Sequence, residues 1–336
     1  MTLDERKANI LRAVVEEYID TAQPVGSGHV ARQSAVAVSP ATVRHEMVAL
    51  EQEGYLRQPH TSAGRVPTDK GYRFFVDSLV EPGPLGTAKR RQVGAFFASA
   101  HGAIEEMLQD TSRLLSNLTD YAAVVVGPPH EAATVRSIQL VGLGGRTALV
   151  VVVLSNGVVE KATLDLAEDV HGAAERLSAA TVHLSSLVVG STLTDLPALA
   201  TSGDALLDDI CSAALAAVET GHEQEAEPVF VGGASRMAAA FDAVETVRQV
   251  LSILEQQYVV VTLLRDVSDR GLRVAIGTEH GLEPLAECSV VVAPYEVEGE
   301  RAGTIGVLGP TRMHYPEALA AVAVVSQRLG RMLSEG

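Results

Sequence analysis

Ser39-Pro40-Ala41-Thr42-Val43-Arg44-His45-Glu46-Met47-Val48-Ala49-Leu50-Glu51-Gln52-Glu53-Gly54, followed at once by Tyr55-Leu56-Arg57-Gln58-Pro59-His60-Thr61-Ser62-Ala63-Gly64-Arg65-Val66-Pro67, is the stretch on which the fold turns. Ser39 is placed to cap a helix whose first residue is Pro40, a position where the missing N–H of proline costs nothing. That helix should run to about Gly54, with Val43, Met47 and Leu50 on one face. Ala41, Thr42, His45 and Ala49 lie broadly opposite, with Arg44 at the flank. Small side chains on an outer face let a helix settle into the major groove, where Thr42 and His45 can reach base edges and Arg44 a guanine or a phosphate. Next, Tyr55–Pro59 and Arg65–Pro67 read as two short strands around the turn residues Thr61-Ser62-Ala63-Gly64. The resulting hairpin carries Arg57, His60 and Arg65 at its tip and base.

Working outward, Thr2-Leu3-Asp4-Glu5 has the pattern of a capping box ahead of a first helix. Ile10, Leu11, Val14, Val15, Tyr18 and Ile19 paint a wide apolar stripe along it at the helical period. Pro24 and Gly26 break the chain, and Ser27 can cap a short second helix. Three helices followed by a hairpin, with basic residues on the third helix and the hairpin, make a winged helix-turn-helix over residues 1–80. Helix and wing then hold the groove and its flanking phosphates together. The candidate DNA-binding residues are Ser39, Thr42, Arg44, His45, Arg57, His60, Thr61, Ser62 and Arg65.

The net charge of -16 sits uneasily with a polyanionic ligand, but the charge is unevenly spread. Residues 1–80 hold nine basic and ten acidic side chains, so nearly all of the excess acid lies beyond them. The apolar runs Ala148–Leu154 and Val259–Leu264 fall far short of the roughly 20 residues a membrane span needs. The helical, acid-bearing N-terminus is not expected to be a signal peptide, and the cytoplasm is the expected compartment. Cys211 and Cys288 stand far apart with no metal-ligand spacing, so both are expected to be buried thiols. No HExxH, GxSxG or CxxC occurs, and the ten histidines are scattered. No metal, cofactor or catalytic role is expected.

Glu81-Pro82-Gly83-Pro84-Leu85-Gly86 has the composition of a linker, here taken as residues 81–90. Ile104, Met107, Leu108, Leu115 and Leu118 then mark an amphipathic helix. Strand-like runs follow at Ala122–Val126, Val135–Leu143, Thr147–Leu154 and Val158–Leu164, the last three joined by Gly144-Gly145 and Asn156-Gly157, dipeptides typical of hairpin turns. Gly142–Gly145 is not a phosphate loop, because a strand and not a helix follows it. A helix at Asp195–Val218, a strand at Val229–Gly233, a helix through Val244, Val247, Leu251 and Leu254, strands at Tyr258–Leu264, Leu272–Gly277, Ser289–Ala293 and Thr304–Leu308, and a helix at Pro316–Leu333 complete the reading. Strands on both sides of a helical interval point to one α+β domain, 91–168 with 229–336, interrupted by an insertion at 169–228.

Several stretches carry a resemblance: Pro24–Ser27, Ala41–Met47, Glu53–Leu56 and above all Pro59-His60-Thr61-Ser62-Ala63-Gly64-Arg65-Val66-Pro67-Thr68-Asp69-Lys70-Gly71-Tyr72-Arg73, then Phe230–Ser235, Ile276–Glu279, Cys288–Val291 and Gly309-Pro310-Thr311-Arg312-Met313. The chain resembles the HrcA family of bacterial heat-inducible transcription repressors over most of its length, least over 169–227. The resemblance implies a multidomain α+β protein with a GAF-like antiparallel domain and an inserted dimerising domain. It further implies repression of chaperone operons through the inverted-repeat CIRCE operator and dependence on the GroE chaperonin. Two positions depart from the family: Gly28 stands where Lys or Arg is usual, and His45 where Asn is usual.

The expected function is therefore a homodimeric repressor whose two reading heads match a two-fold symmetric operator on double-stranded DNA. The alternative is a regulator that senses a small molecule through its GAF-like domain. The first makes chaperonin the modulator of operator affinity, the second a metabolite.

Overall fold

The computed structural model describes residues 3–33, 38–60, 63–79, 83–99, 104–128, 133–155, 158–166, 170–224, 228–236, 241, 244–269, 273–297 and 299–335. Its first helix, α1 (Glu5–Thr21), is capped by Asp4, whose carboxylate accepts from the Lys7 amide at 2.8 Å. The cap is thus Asp4 rather than Thr2, which lies outside the described residues. Ile10, Leu11, Val14, Val15 and Ile19 are buried along the expected stripe. After the short α2 (Ser27–Val30) comes α3 (Pro40–Gln52), then an antiparallel ribbon of β1 (Leu56–Arg57) and β2 (Val66–Pro67), and α4 (Asp69–Asp77). These fall where the sequence places three helices and a hairpin. The ribbon is tied to the α1–α2 turn by paired bonds between Val25 and Arg65, both 2.9 Å. Gly64 is required there, since a Cβ on it would lie 2.4 Å from the Val25 carbonyl oxygen.

The expected linker is shorter than 81–90. Leu85 is only 4% exposed, packed into the core shared by the N-terminal helices and the rest of the chain, and α5 (Thr87–Ser99) starts two residues later. A buried leucine anchors the connection where a proline- and glycine-rich composition points to a flexible one. Glu81 and Pro82 lie outside the described residues.

After α6 (Ile104–Thr119) and β3 (Ala122–Val126), a hairpin meander of β4 (Val135–Gly144), β5 (Thr147–Leu154) and β6 (Val159–Asp165) forms its own three-stranded sheet. The Gly144-Gly145 turn has both glycines at positive φ, 119° and 60°, which a tight hairpin needs; Asn156-Gly157 lies outside the described residues. Two helices, α7 (Val170–Val188) and α8 (Ala205–Gln224), cover this sheet. Leu177, Ala180, Leu184, Cys211, Ala214 and Val218 pack with Ile138, Val150, Val152 and Leu154 in a single cluster. The expected boundary at 169 therefore cuts through one core. The insertion instead begins and ends where Gly127 N–H donates to the Pro228 carbonyl at 2.8 Å, beside the paired strands β3 and β7 (Val229–Gly232). The helix placed at Asp195–Val218 is also displaced: α8 begins at Ala205, after Gly203 at φ 92° and Asp204, whose carboxylate accepts from the Leu206 amide.

Two helices, α9 (Val244–Glu255) and α10 (Gln257–Asp269), precede β8 (Val274–Ile276), β9 (Cys288–Val297), β10 (Glu300–Pro310) and the last helix, α11 (Tyr315–Glu335). The run Tyr258–Leu264 is helical, not a strand. Its β-branched residues read as β locally, but Val260, Leu263, Leu264 and Val267 recur at the helical period and pack on the large sheet. That sheet is antiparallel in the order β7-β3-β10-β9-β8. One face carries α9 and α10 over Ala122, Val124, Val126, Val290 and Val292. The other carries α6 and α11 over Ala123, Val125, Val291, Ile305 and Val307. Both faces are covered, which explains why β3 is apolar at every position. Cys211 and Cys288 are free thiols with no exposure, and burial pushes their pKa up to about 11 and about 12.

The N-terminal helices dock directly onto this sheet. Arg73 of α4 donates from Nε to Glu279 at 2.9 Å and from Nη2 to the Val274 carbonyl at 2.8 Å, and its Nη2 also meets the second Glu279 oxygen. Asp69 faces the amide and hydroxyl of Thr278 at 3.4 Å each. Gly277, at φ 55°, leaves room for that carboxylate, since a Cβ there would stand 2.3 Å from Asp69 Oδ2. Behind these polar contacts Tyr72 packs on Tyr315, ring centroids 6.0 Å apart, both buried. The Tyr315 hydroxyl donates to Thr311 O at 2.6 Å and lies 2.8 Å from Ser289 Oγ, whereas the Tyr72 hydroxyl has no hydrogen-bond partner among the described residues. A buried hydroxyl stabilises only where it is bonded. Tyr315→Phe should therefore destabilise the chain in denaturant unfolding by about 1–2 kcal/mol, while Tyr72→Phe should be neutral or slightly stabilising. Equal losses for both would contradict this arrangement.

Candidate nucleic-acid interface

The outer face of α3 is set by its anchors. Val43, Met47 and Leu50 are buried, so at the helical period Ala41, Arg44, His45 and Val48 turn outward, all exposed. Val48 is an apolar residue on this face that the sequence pattern does not single out; an exposed apolar side chain there suits contact with a thymine methyl. Ser39 and Thr42 serve the cap: Ser39 Oγ accepts from the Thr42 amide at 3.2 Å and lies 3.0 Å from its hydroxyl. Ser39 is exposed, Thr42 half-buried. On the ribbon, Arg57 and His60 are exposed, while Thr61 and Ser62 lie outside the described residues.

Arg65 departs from the expectation. Its guanidinium turns back to Glu51 of α3, Nη2 to Oε2 at 2.9 Å, with only 15% of the side chain exposed. It fastens the ribbon to α3 and is not offered outward. The reason is local: the Arg65 backbone is pinned to Val25, and the Glu51 carboxylate of α3 lies within reach of its side chain.

The other basic side chains of the first eighty residues follow the same logic. Arg6 faces Glu46 at 3.7 Å, Lys7 pairs with Glu53 at 2.6 Å, and Lys70 donates to the Glu53 carbonyl at 2.8 Å while lying 4.2 Å above the Tyr55 ring. Arg12 donates to Asn9, Arg32 lies 3.2 Å from the His29 ring, His29 faces Glu17 at 3.0 Å, and Arg73 is held in the seam by Glu279. Arg44 and Arg57 alone make no ion pair or hydrogen bond through their side chains among the described residues, and the same holds for His45 and His60. The module is nearly neutral overall, and its guanidiniums without a side-chain partner among the described residues, Arg44 and Arg57, lie on α3 and on the ribbon that packs against it.

Residues 105–319 match the family described as HrcA protein C terminal domain. A protein of Acidothermus cellulolyticus named heat-inducible transcription repressor HrcA is 41% identical over 99% of this chain and 99% of its own length. Another so named, from Desulforudis audaxviator, is 36% identical over 100% of this chain and 99% of its own. The chain belongs to the HrcA family. A solved structure described as a hypothetical protein shares the fold, with a TM-score of 0.67 at 22% identity over 99% of both chains.

This HrcA-family chain is thus a heat-inducible transcription repressor by family, and the most distinctive stretch of the resemblance divides into two kinds of residue. His60 faces outward, while Arg65 and then Asp69, Tyr72 and Arg73 serve the ribbon and the seam. Sequence reasoning gives Asp69, Tyr72 and Arg73 no role, because their partners lie some two hundred residues away. Replacing Glu51 and Arg65 by Gln, singly and together, should reveal a coupling of ~0.5–1 kcal/mol in unfolding measurements. Additive losses would show that the pair holds nothing.

Proposed function

We propose that the chain represses heat-shock chaperone operons by binding an inverted-repeat operator of the CIRCE type as a homodimer, acting in the cytoplasm. In this reading α1–α4 and the ribbon are a winged helix-turn-helix. The N-terminal residues of α3 enter the major groove and the ribbon lies along the adjacent phosphates. The observation that carries it is the pair of guanidiniums without a side-chain partner among the described residues, Arg44 and Arg57, with His45 and His60 near them in the chain. Every other cation of the module is held by the protein's own groups. Four such side chains are a thin grip, so two modules on one symmetric site are needed for useful affinity. Ser39, Thr42, Thr61 and Ser62 remain candidate phosphate contacts.

The inserted unit is the proposed dimerising domain and the five-stranded sheet with its helices the proposed GAF-like domain. Leu149, Val151 and Val153 on the uncovered face of the insert's sheet are half-buried, and Val141 and Val159 on the flanking strands are 42% and 39% exposed. A second copy would cover that apolar face. Dependence on the GroE chaperonin fits a domain whose strands β3 and β7 pair only after the whole insert between Gly127 and Pro228 has been accommodated. Long-range pairings of this kind fold slowly and expose apolar surface meanwhile.

A gel shift with a chaperone-operon inverted repeat and a scrambled duplex tests the reading. Arg44→Ala should cost about 1–3 kcal/mol on the operator and less on scrambled DNA; equal losses would remove Arg44 from base recognition. Gly28, where the family resemblance implies a basic residue, has an ordinary backbone and open space where a Cβ would stand. Gly28→Lys should tighten binding to both duplexes and steepen the salt dependence by about one charge. No change would mean that α2 does not approach the phosphates.

A further inference from the structure

Most cations of the first eighty residues are held by the protein's own groups, yet the helix that follows carries two that are not. Early in α5, Thr87-Ala88-Lys89-Arg90-Arg91-Gln92-Val93-Gly94-Ala95-Phe96-Phe97-Ala98-Ser99, three basic residues stand in succession, and the helix contains no acidic residue at all. In a chain of net charge -16 this is a local reversal of sign. Arg90 and Arg91 are both exposed, and neither has a side-chain partner among the described residues.

The helix that carries them is firmly seated. Val93 and Phe97 are buried, Phe96 and Phe97 meet edge to face with ring centroids 4.9 Å apart, and Leu85 just ahead of the helix is buried as well. Lys89 Nζ donates to the Leu118 carbonyl at 2.6 Å and pairs with Glu317. Its charge is thereby taken up within the fold, at an end carbonyl of α6 that the helix itself leaves open. Arg91 stands two residues before Val93 and so on the opposite side of the helix, facing solvent. A rigid carrier lowers the ordering cost of any contact these guanidiniums make.

Their place in the fold is equally defined. Glu317, which holds Lys89, follows three residues after His314, whose Nδ1 lies 3.7 Å from Asp20 near the end of α1. From there the chain enters the turn in which Val25 is bonded to Arg65 at the base of the ribbon. The start of α5 and the base of the ribbon are thus joined through the start of α11.

We propose that Arg90 and Arg91 form a second DNA contact, binding backbone phosphates that flank the operator, outside the base pairs met by α3 and the ribbon. The inference rests on the reading of α3 and the ribbon as the operator-binding elements, and adds to it a surface beyond residue 80. Guanidinium forks match phosphate oxygens, and a duplex presents phosphates at close, regular spacing on both sides of any site it carries. A duplex lying along the ribbon brings phosphates towards this junction, which favours DNA over an acidic protein as the partner. Contacts of this kind hold register and add affinity without reading sequence.

The test titrates the full chain, at several salt concentrations, with two duplexes: one ends at the inverted repeat, and the other extends it by about ten base pairs, one helical turn, on each side. The double variant Arg90→Gln/Arg91→Gln should bind the short duplex as the unaltered chain does. On the long duplex its slope of log K against log salt should be shallower by about 2, the loss of one phosphate contact from each protomer of a dimer. Both positions are exposed, and unchanged binding to the short duplex verifies in the same experiment that the variant is folded. Arg90→Lys/Arg91→Lys should restore the long-duplex slope, since a phosphate contact requires the charge. Equal slopes for the unaltered chain and the Gln variant on the long duplex would overturn the proposal, leaving the arginines to an acidic protein partner; equal losses on both duplexes would overturn it too. An unaltered chain that binds the inverted repeat no better than a scrambled duplex would instead overturn the operator reading, and this inference with it.

Discussion

Arg73 is a cation of the N-terminal helices that faces the large sheet. Its guanidinium is held by Glu279 and by the Val274 carbonyl at the edge of the large sheet, and that contact fixes where the module sits. Behind it, burial raises the pKa of both the Tyr72 and Tyr315 hydroxyls, which keeps them neutral within one continuous apolar cluster. Gly277 supports the same seam from below, by having no side chain to meet Asp69. With α4 committed to this surface, α3 and the ribbon are the parts of the module left to face a partner.

The second constraint is electrostatic. A chain of net charge -16 must approach a polyanion, and attraction between exposed charges fades within about 10 Å at moderate salt. What matters is then the local balance at the contact, not the total. The carboxylates Glu46, Glu51 and Glu53 neutralise Arg6, Arg65 and Lys7 around the base of α3, and leave Arg44 and Arg57 unneutralised. Specific placement of a few cations favours discrimination, since a broadly basic surface would bind any sequence.

Much of this is legible in the sequence wherever local chemistry decides the outcome. Ser39-Pro40 opens a helix whatever surrounds it, Gly144-Gly145 turns a hairpin, and the stripe from Ile10 to Ile19 has one side to bury. Illegible features depend on partners far along the chain. Tyr258–Leu264 is β-branched enough to read as a strand, but its place against the sheet makes it a helix. A boundary at 169 falls too late because β4–β6 look like more of the main sheet until α7 and α8 are seen to pack on them. Arg65 reads as a DNA contact because composition shows a cation and not the Glu51 beside it.

Operator recognition depends on which residues touch the duplex. Ultraviolet crosslinking of the full chain to an operator duplex carrying 5-bromouracil, with the attached peptides identified by mass spectrometry, answers this directly. Crosslinks should fall within Pro40–Gln52 and on the ribbon around Arg57 and His60. Crosslinks confined to residues beyond 80, or spread evenly over the chain, would contradict it.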